Sequence, residues 1–228
     1  MPYFPAFIDL SGRTCILVGA GVVGQRKLRR LIHCRADPLL VIEPYPDQEL
    51  WQEQKTKQTF TLHDRPFAPE DIKGAFLVVA STSNPEINAA IGHLCQENNV
   101  LCNVVDQPEL CSLVWPSLVN QGDLALAVTS GGASPALTRR IRQQLEQEFG
   151  PEYAVWISML KALRPAIIAR GMEQKENAAI FRSLTDQAFF QAIAHADVPR
   201  LWSLLRECLP RDLHPFAREV LHEHDFSL

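Results

Sequence analysis

Three glycines near the start of the chain have the spacing of a phosphate-binding turn. Gly19, Gly21 and Gly24 follow the apolar run 15–18 and precede the polar segment 25–28. Where a strand turns into a helix, the first glycine allows the tight turn and the second lets the backbone approach a pyrophosphate. The third lets the helix pack close to the strand. The spacing predicts a dinucleotide-binding turn; the alternative is a glycine turn without a ligand.

An acidic residue ends the next apolar run. Residues 39–42 lead to Glu43, close to the spacing at which a carboxylate accepts hydrogen bonds from the ribose of an adenine dinucleotide. The start of the helix that follows the glycines offers N–H groups without a partner within the helix, together with a partial positive charge. These features predict NAD as the cofactor.

A second carboxylate follows another predicted strand. Asp106 comes directly after the run 101–105, and ligands of parallel sheets bind at the carboxyl ends of the strands. There it could act as a general base in an oxidation, or hold an N–H group or a metal ion. On spacing alone, an equally good interpretation is that Asp106 caps a turn before Pro108. Asp106 is the candidate catalytic residue.

A loop of small residues precedes a helix with clear start and stop signals. Ser134 is the expected cap, Pro135 the first helical residue, and Gly150-Pro151 the stop. A loop of this kind binds carboxylates or phosphates through backbone N–H groups, and three arginines further along the helix could add charge. The candidate substrate ligands are Ser130, Gly131, Gly132 and Ser134. The alternative is a plain capped helix with solvated arginines.

The predicted strands and helices that position these residues divide the chain into three parts. Strand and helix signals alternate over 14–105, which predicts a parallel sheet wound by helices. Two apolar runs then flank the turn-like residues 120–123 and predict an antiparallel hairpin. A lone hairpin this apolar needs a partner surface, and a second copy of the chain is one solution. Residues 152–224 have helical periodicity, broken near Arg164-Pro165 and Gly171.

We therefore expect an α/β fold in three parts. A Rossmann-type parallel-sheet domain takes residues 1–111 and binds NAD. A small β dimerisation region, made of the hairpin and the following helix, takes 112–150. A helical domain takes 151–228.

The composition is that of an ordinary globular protein and argues against several classes of partner. The 228 residues carry a net charge of −4 and no long basic block, unlike a dedicated nucleic-acid binder. No apolar run approaches the ~20 residues of a membrane span, and residues 1–5 lack signal-peptide character, so we expect a cytoplasmic protein without a membrane partner. The six cysteines lack metal-ligand spacing and are expected to be small buried residues.

Two charged clusters receive no primary role. The basic residues of the first helix are interpreted as a solvated face with a secondary role near anionic ligands: Arg26, Lys27, Arg29 and Arg30. The segment His222-Glu223-His224-Asp225 has metal-binding composition, but close to a terminus it is interpreted as a mobile, solvated tail.

Five segments together resemble a known family. They are Phe4-Pro5-x-Phe7, Cys15 to Gly24 with Arg26-Lys27, Asn103-Val104-Val105-Asp106, Pro116-Ser117, and Thr129 to Pro135. In this order and spacing they resemble the precorrin-2 dehydrogenase family, which includes the amino-terminal module of siroheme synthase. The resemblance covers about residues 1–150, and the combination of Asn-Val-Val-Asp with Ser-Gly-Gly-x-Ser-Pro is more specific than the glycine motif.

The resemblance implies an NAD-dependent oxidation of precorrin-2 to sirohydrochlorin, followed in some members by insertion of Fe²⁺ to give siroheme. It also implies a homodimer. The family's functional aspartate corresponds to Asp106 and its loop serine to Ser130, while Glu43-Pro44 corresponds to the adenosine side. The cofactor loop corresponds to Gly19, Gly21, Val22, Val23 and Gly24. A non-catalytic NAD-sensing module and a chelatase without the redox step remain the alternatives.

Overall fold

The computed structural model describes residues 3–226, and the chain divides between Trp115 and Pro116 into two compact units. The expectation that residues 1–5 are no signal peptide rests partly on Met1 and Pro2, which lie outside the described residues.

The first unit is built on a parallel sheet. Its strands are β1 (Ser11–Val18), β2 (Asp37–Ile42), β3 (Thr61–His63), β4 (Leu77–Ala80) and β5 (Leu101–Val104). They lie in the order β3-β2-β1-β4-β5, and every neighbouring pair is parallel. The predicted Rossmann-type sheet is thus confirmed. Because the strand order reverses between β1 and β4, the crevice at the carboxyl ends of these two strands is where such sheets bind ligands.

The central strands are apolar on both faces because helices cover both sides of the sheet. Along β1, Cys15 and Leu17 belong to one buried cluster, while Ile16 and Val18 belong to the other. All four residues of β4 are buried as well. The sheet is therefore a well-packed platform for the loops at its carboxyl edge.

Three helices accompany the sheet: α1 (Val22–His33), α2 (Gln48–Lys57) and α3 (Pro85–Glu97). Helix α1 begins directly after the glycine turn, as predicted. Helix α3 is capped by Asn84, whose side chain accepts the N–H of Glu86 at 2.8 Å. Helix α2 was not predicted. Only Leu50 is buried in it, so it lacks an apolar stripe, and its start depends on the side chain of Asp47, which accepts the N–H of Leu50 at 2.7 Å.

The second unit begins with the predicted antiparallel hairpin, which is confirmed. Strands β6 (Ser117–Gln121) and β7 (Leu124–Val128) pair around a turn in which Gly122 has a φ of 60°. Helix α4 (Pro135–Glu148) follows, with Ser134 as its cap: the Ser134 hydroxyl accepts the N–H of Leu137 at 3.2 Å.

The rest of the second unit is helical. Its helices are α5 (Pro151–Ile168), α6 (Gln174–Ser183), α7 (Gln187–Ala194), α8 (Val198–Cys208) and α9 (His214–Glu223). At the centre of their core the rings of Trp156 and Phe189 stack with centroids 4.4 Å apart, and the Trp156 indole N–H donates to the Leu184 carbonyl at 2.9 Å. The predicted helical part is confirmed.

The predicted break at Arg164-Pro165 is wrong, whereas the break at Gly171 is correct. Helix α5 continues through Pro165 to Ile168, and the chain leaves the helix before Gly171, which has a φ of 66°. Proline removes one helical hydrogen bond and crowds the preceding turn. The buried stripe Trp156, Met159, Leu163 and Ile167 extends beyond the proline, so burial of Ile167 outweighs that cost.

We expect Pro165→Ala to raise the free energy of unfolding of the second unit by about 1–3 kcal/mol, because alanine restores the N–H bond to the Lys161 carbonyl. Urea unfolding followed through Trp156 fluorescence measures the change. Pro135→Ala is the control, since Pro135 stands at the first position of α4, where no helical bond is missing. An unchanged or lower stability of the Pro165 variant would contradict the account.

Candidate functional site

Two of the three glycines of the turn are required by the protein's own packing. Gly19 has a φ of +87°, and a Cβ built on it would lie 2.5 Å from the backbone nitrogen of Thr82. A Cβ on Gly24 would lie 2.1 Å from the carbonyl oxygen of Gly19. These two glycines let α1 start immediately behind β1 and against the end of β4.

Gly21 has no such reason to be glycine. A Cβ built on it would meet nothing within 4 Å, and its φ of −65° suits any residue. Beyond it lies the first turn of α1, which contains no acidic side chain and has no side-chain cap, and Val22 there is 83% exposed. The first N–H groups of a helix attract anions. The open side of Gly21 therefore fits the close approach of a dinucleotide pyrophosphate.

Glu43 braces this turn from the neighbouring strand. One carboxylate oxygen accepts the N–H of Ala20 at 2.8 Å, and the other accepts the N–H of Tyr45 at 3.0 Å. A carboxylate has about four acceptor positions, so capacity remains for ribose hydroxyls. Pro44 lies between these contacts, and Tyr45 is 90% exposed beside them. The residue predicted to bind ribose thus also holds the glycine turn in place.

The end of β4 is held by Ser81, which the strand order predicts at this carboxyl edge near the cofactor, and by Asn88, which the sequence analysis did not identify. The Ser81 hydroxyl donates to the Gly19 carbonyl at 2.7 Å. Asn88 of α3, 4% exposed, accepts the N–H of Thr82 at 3.0 Å and donates to the Thr82 carbonyl at 3.0 Å. In the sequence, Asn88 stands as a lone amide among apolar residues of a helix. Because buried polar groups need partners, this pattern could have indicated its structural role.

Asp106 lies at the carboxyl end of β5 with its side chain uncommitted. Its carboxylate makes no hydrogen bond or ion pair with any residue between Tyr3 and Phe226, so the turn-cap interpretation is not supported. Its φ of 61° is a left-handed conformation, which aspartate tolerates but which costs free energy, and such conformations are common at functional sites. Gln107 holds the turn to α3 by donating to the Pro85 carbonyl at 2.8 Å.

The base of the Asp106 turn is closed by two other side chains. The Cys111 sulfur accepts the N–H of Val104 at 3.2 Å, and the thiol also reaches the Val104 carbonyl at 3.2 Å. The Asn103 amide donates to the Leu113 carbonyl at 3.1 Å. These contacts return the chain along β5 and leave Asp106 at the tip. They give Asn103 of the Asn-Val-Val-Asp motif a structural role.

The interpretation of the basic cluster on α1 as a solvated face is wrong for Lys27. Its ammonium lies 4.7 Å from the centre of the Trp115 ring, because the segment that returns along β5 covers this side of the helix. Burial, with help from Arg30 and Arg26, lowers the pKa of Lys27 to about 8. Arg26 and Arg29 are exposed, as predicted.

The small-residue loop belongs to the second unit, and its hydroxyls organise the loop itself. The Ser130 hydroxyl accepts the N–H of Ser134 at 2.9 Å. Gly131 and Gly132 are exposed with φ values of 63° and 89°. The first turn of α4 contains no acidic residue, so the start of this helix suits an anion such as a carboxylate. The candidate substrate loop and Asp106 thus belong to different units, because Asp106 is part of the first.

None of the helices between residues 3 and 226 combines the length and apolar character needed to cross a membrane. Over the same residues, no three or more His, Cys, Asp and Glu side chains gather in a way that could hold a metal ion. All six cysteines are free, and Cys15, Cys95 and Cys102 are buried as expected. The expectation of burial is wrong for Cys34, which is exposed, and holds only in part for Cys111 and Cys208, which are half-buried.

Two family models match the chain. The family described as "Putative NAD(P)-binding" matches residues 6–117, and the family described as "Sirohaem biosynthesis protein central" matches residues 121–148. The first match contains the glycine turn, Glu43 and Asp106, and the second contains the small-residue loop.

Curated relatives and a solved structure agree with these matches. The siroheme synthase of Thioalkalivibrio sulfidiphilus is 31% identical over 96% of this chain and 43% of its own length. That of Nitrosococcus oceani is 38% identical over 64% of this chain and 31% of its own length. The chain thus spans less than half of the length of these relatives. A solved structure described as "SirC, precorrin-2 dehydrogenase" has the same fold, with a TM-score of 0.74 and 20% identity over 90% of this chain and 98% of that one.

We expect Gly21→Ala to fold normally yet bind NAD at least tenfold more weakly, because the added methyl enters the space that the pyrophosphate needs. Calorimetric titration with NAD and thermal unfolding measure the two quantities. In the control, Gly24→Ala, the new Cβ meets the Gly19 carbonyl, so the variant loses stability. Unchanged NAD affinity of the Gly21 variant would show that the open space is not the pyrophosphate site.

Proposed function

We propose that this chain oxidises precorrin-2 to sirohydrochlorin with NAD, because its NAD(P)-binding and central regions match the two family models and are similar to siroheme synthases. One observation carries the proposal. The free carboxylate of Asp106 lies at the same sheet edge as the open glycine turn. A sensor that only binds the dinucleotide needs no uncommitted carboxylate at this edge.

The chemistry that NAD would supply when bound is acceptance of a hydride from the substrate. The N–H groups at the start of α1 would hold the pyrophosphate beside Gly21, and Glu43 would accept hydrogen bonds from the ribose hydroxyls while it keeps its bonds to Ala20 and Tyr45. Removal of two hydrogens from a carbon framework also releases a proton. Asp106 is the group that accepts this proton and passes it to water.

Precorrin-2 and sirohydrochlorin carry acetate and propionate groups, and the loop before α4 is proposed to bind them. Exposed backbone at Gly131 and Gly132, together with the helix start, suits carboxylates. Because Ser130 and Ser134 accept backbone N–H groups within the loop, their role is to hold the loop open toward the substrate.

The active form is proposed to be a homodimer that pairs through residues 112–150, with 1–111 as the NAD domain and 151–228 as the helical domain. Within α4 only Thr138 is buried, and Leu137 is 51% exposed. The hairpin strands are largely half-buried apolar residues. A second copy would cover these surfaces, as an apolar two-stranded ribbon requires.

The proposed location is the cytoplasm, where reduced cysteines and NAD coexist. The six free cysteines support this location.

Insertion of Fe²⁺ into sirohydrochlorin is a second candidate function. Insertion requires removal of pyrrolic protons, and the unpaired Asp106 carboxylate offers an acceptor for them as well as an oxygen ligand for the iron substrate. Sirohydrochlorin and Fe²⁺ supplied without NAD should give siroheme, seen in the absorption spectrum, faster than an enzyme-free control. A rate equal to that of the control would leave the oxidation as the one proposed activity.

The oxidation itself is tested by mixing the protein with precorrin-2 and NAD. We expect equal amounts of NADH and sirohydrochlorin from the unaltered chain, and a turnover lower by roughly two to four powers of ten in Asp106→Asn. Asparagine also tolerates the left-handed conformation, so the fold and NAD affinity should persist. Asp225→Asn is a matched control, because Asp225 has a φ of 65° in the other unit. Normal turnover by the Asp106 variant would remove its catalytic role, and absence of NADH from the unaltered chain would favour the sensor.

Glu43 should make the protein prefer NAD over NADP, because its carboxylate repels a 2′-phosphate. We expect Glu43→Gln to lower the ratio of kcat/KM for NAD to that for NADP by about tenfold. The ratio is the right quantity, since the weakened brace on Ala20 affects both dinucleotides alike. Equal use of NAD and NADP by the unaltered protein would overturn the assignment.

A further inference from the structure

One tyrosine of the first unit exposes its side chain almost completely. Tyr45 is 90% exposed, in the loop that follows β2. Its hydroxyl and ring form no hydrogen bond or ring contact with any residue from 3 to 226. A tyrosine ring has a flat apolar face, and covering such a face removes apolar surface from water. A flat aromatic ligand would therefore bind there favourably.

The backbone on both sides of Tyr45 is restricted. Pro44 and Pro46 flank it, and each proline fixes its own φ and limits the conformations of the residue before it. The Tyr45 N–H also donates to the Glu43 carboxylate at 3.0 Å. The ring is thus presented to solvent by a backbone with little freedom, so a ligand that covers it orders few further groups.

The far end of this loop is tied to two helices. Asp47 caps α2, where its carboxylate accepts the N–H of Leu50 at 2.7 Å. The same carboxylate accepts a hydrogen bond from the side-chain amide of Gln25, on α1, at 3.1 Å. The loop 43–47 is therefore anchored at both ends, and its position relative to α1 is fixed.

The chain places Tyr45 next to the proposed ribose site. Glu43, two residues earlier, is the carboxylate proposed to accept the ribose hydroxyls, and its N–H donates to the His63 carbonyl at the end of β3 at 3.0 Å. In NAD the adenine is bonded directly to this ribose. The base must consequently lie immediately beside the ribose, at the edge where β2 and β3 end and where Tyr45 offers an aromatic face.

Arg65, two residues after β3, is committed to other partners. Its guanidinium donates two hydrogen bonds to the Asp71 carboxylate, at 2.8 and 2.6 Å, and one to the Pro66 carbonyl at 3.0 Å. Asp71 is held in turn by the N–H of Ala68 at 2.8 Å. Arg65 is therefore not free to stack on Tyr45, which leaves the face of the tyrosine open to the base.

We propose that Tyr45 is a stacking platform for the adenine of the dinucleotide. The choice of ligand rests on the proposed use of NAD, whereas the exposed ring and the rigid loop do not. Stacking requires a flat aromatic face, so the phenol hydroxyl has no part in it. Loss of a stack between a base and an aromatic side chain weakens binding by about tenfold or more.

ADP-ribose is the probe, because it carries the adenine and the pyrophosphate but no nicotinamide, so its binding depends on no reaction. We expect Tyr45→Ala to weaken ADP-ribose binding about tenfold in calorimetric titrations. The control Phe7→Ala removes another ring, which is 75% exposed and precedes the amino end of β1, and should change the affinity less than about twofold. Full affinity of Tyr45→Ala, or an equal loss in Phe7→Ala, would overturn the proposal.

A series of substitutions at Tyr45 separates the flat ring from its bulk and its hydroxyl. Tyr45→Phe keeps the ring and should bind ADP-ribose like the unaltered chain, whereas Tyr45→Leu should bind like the alanine variant. Each variant should unfold at the temperature of the unaltered chain, because the side chain is almost fully exposed. A weakened phenylalanine variant, or a leucine variant of full affinity, would contradict stacking.

The two proposals fail separately. If precorrin-2 is not oxidised but Tyr45→Ala still weakens ADP-ribose binding, the platform stands and the proposed function falls. If precorrin-2 is oxidised and Tyr45→Ala binds ADP-ribose like the unaltered chain, the platform falls. Absence of ADP-ribose binding to the unaltered chain would also overturn the platform.

Discussion

The close packing of Gly24 against Gly19 within the glycine turn is the constraint on which the first unit depends. Only hydrogen fits between Gly24 and the Gly19 carbonyl, since a Cβ there would approach to 2.1 Å. This contact brings α1 against the sheet at the point where the strand order reverses. The start of α1 is consequently aimed across the crevice, and the positive end of the helix is fixed where a dinucleotide can use it.

Other parts of the candidate site are fastened to the same contact. Ser81 bonds the Gly19 carbonyl from β4, and Glu43 bonds the Ala20 N–H from β2. The turn is thus held from both neighbouring strands before any ligand arrives, which lowers the entropy lost on binding. Asp106 comes after β5, the strand that neighbours β4. Its turn is closed by Cys111 and tied to α3 by Gln107. Its left-handed backbone and unpaired carboxylate are features that the surrounding contacts maintain.

Local signals in the sequence were enough for the elements with strong patterns. The apolar runs of β1, β2 and β5, the glycine turn and the Ser134 cap each depend on residues close together in the chain, and the sequence predicts all of them. Helix α2 was missed because its start depends on Asp47 and its burial on Leu50 alone. Pro165 was misjudged because the cost of a proline is local, while the compensating burial of Ile167 comes from residues distant in sequence.

In the candidate site, too, local sequence patterns could not reveal interactions between residues that are distant in the chain. Glycines 19, 21 and 24 were predicted together, but only the structure separates the two required by packing from the one with open space beside it. The brace by Glu43, the buried Asn88 and the covering of Lys27 by Trp115 all join residues far apart in sequence, so no local pattern contains them.

The central claim is that the glycine turn and Asp106 serve one reaction, and a crystal structure with bound NAD tests it most directly. The account predicts the pyrophosphate beside Gly21 and the N–H groups that start α1, and the nicotinamide ring directed toward the Asp106 carboxylate. A dinucleotide bound away from Gly21, or one whose nicotinamide lies on the side of the sheet edge remote from Asp106, would contradict it.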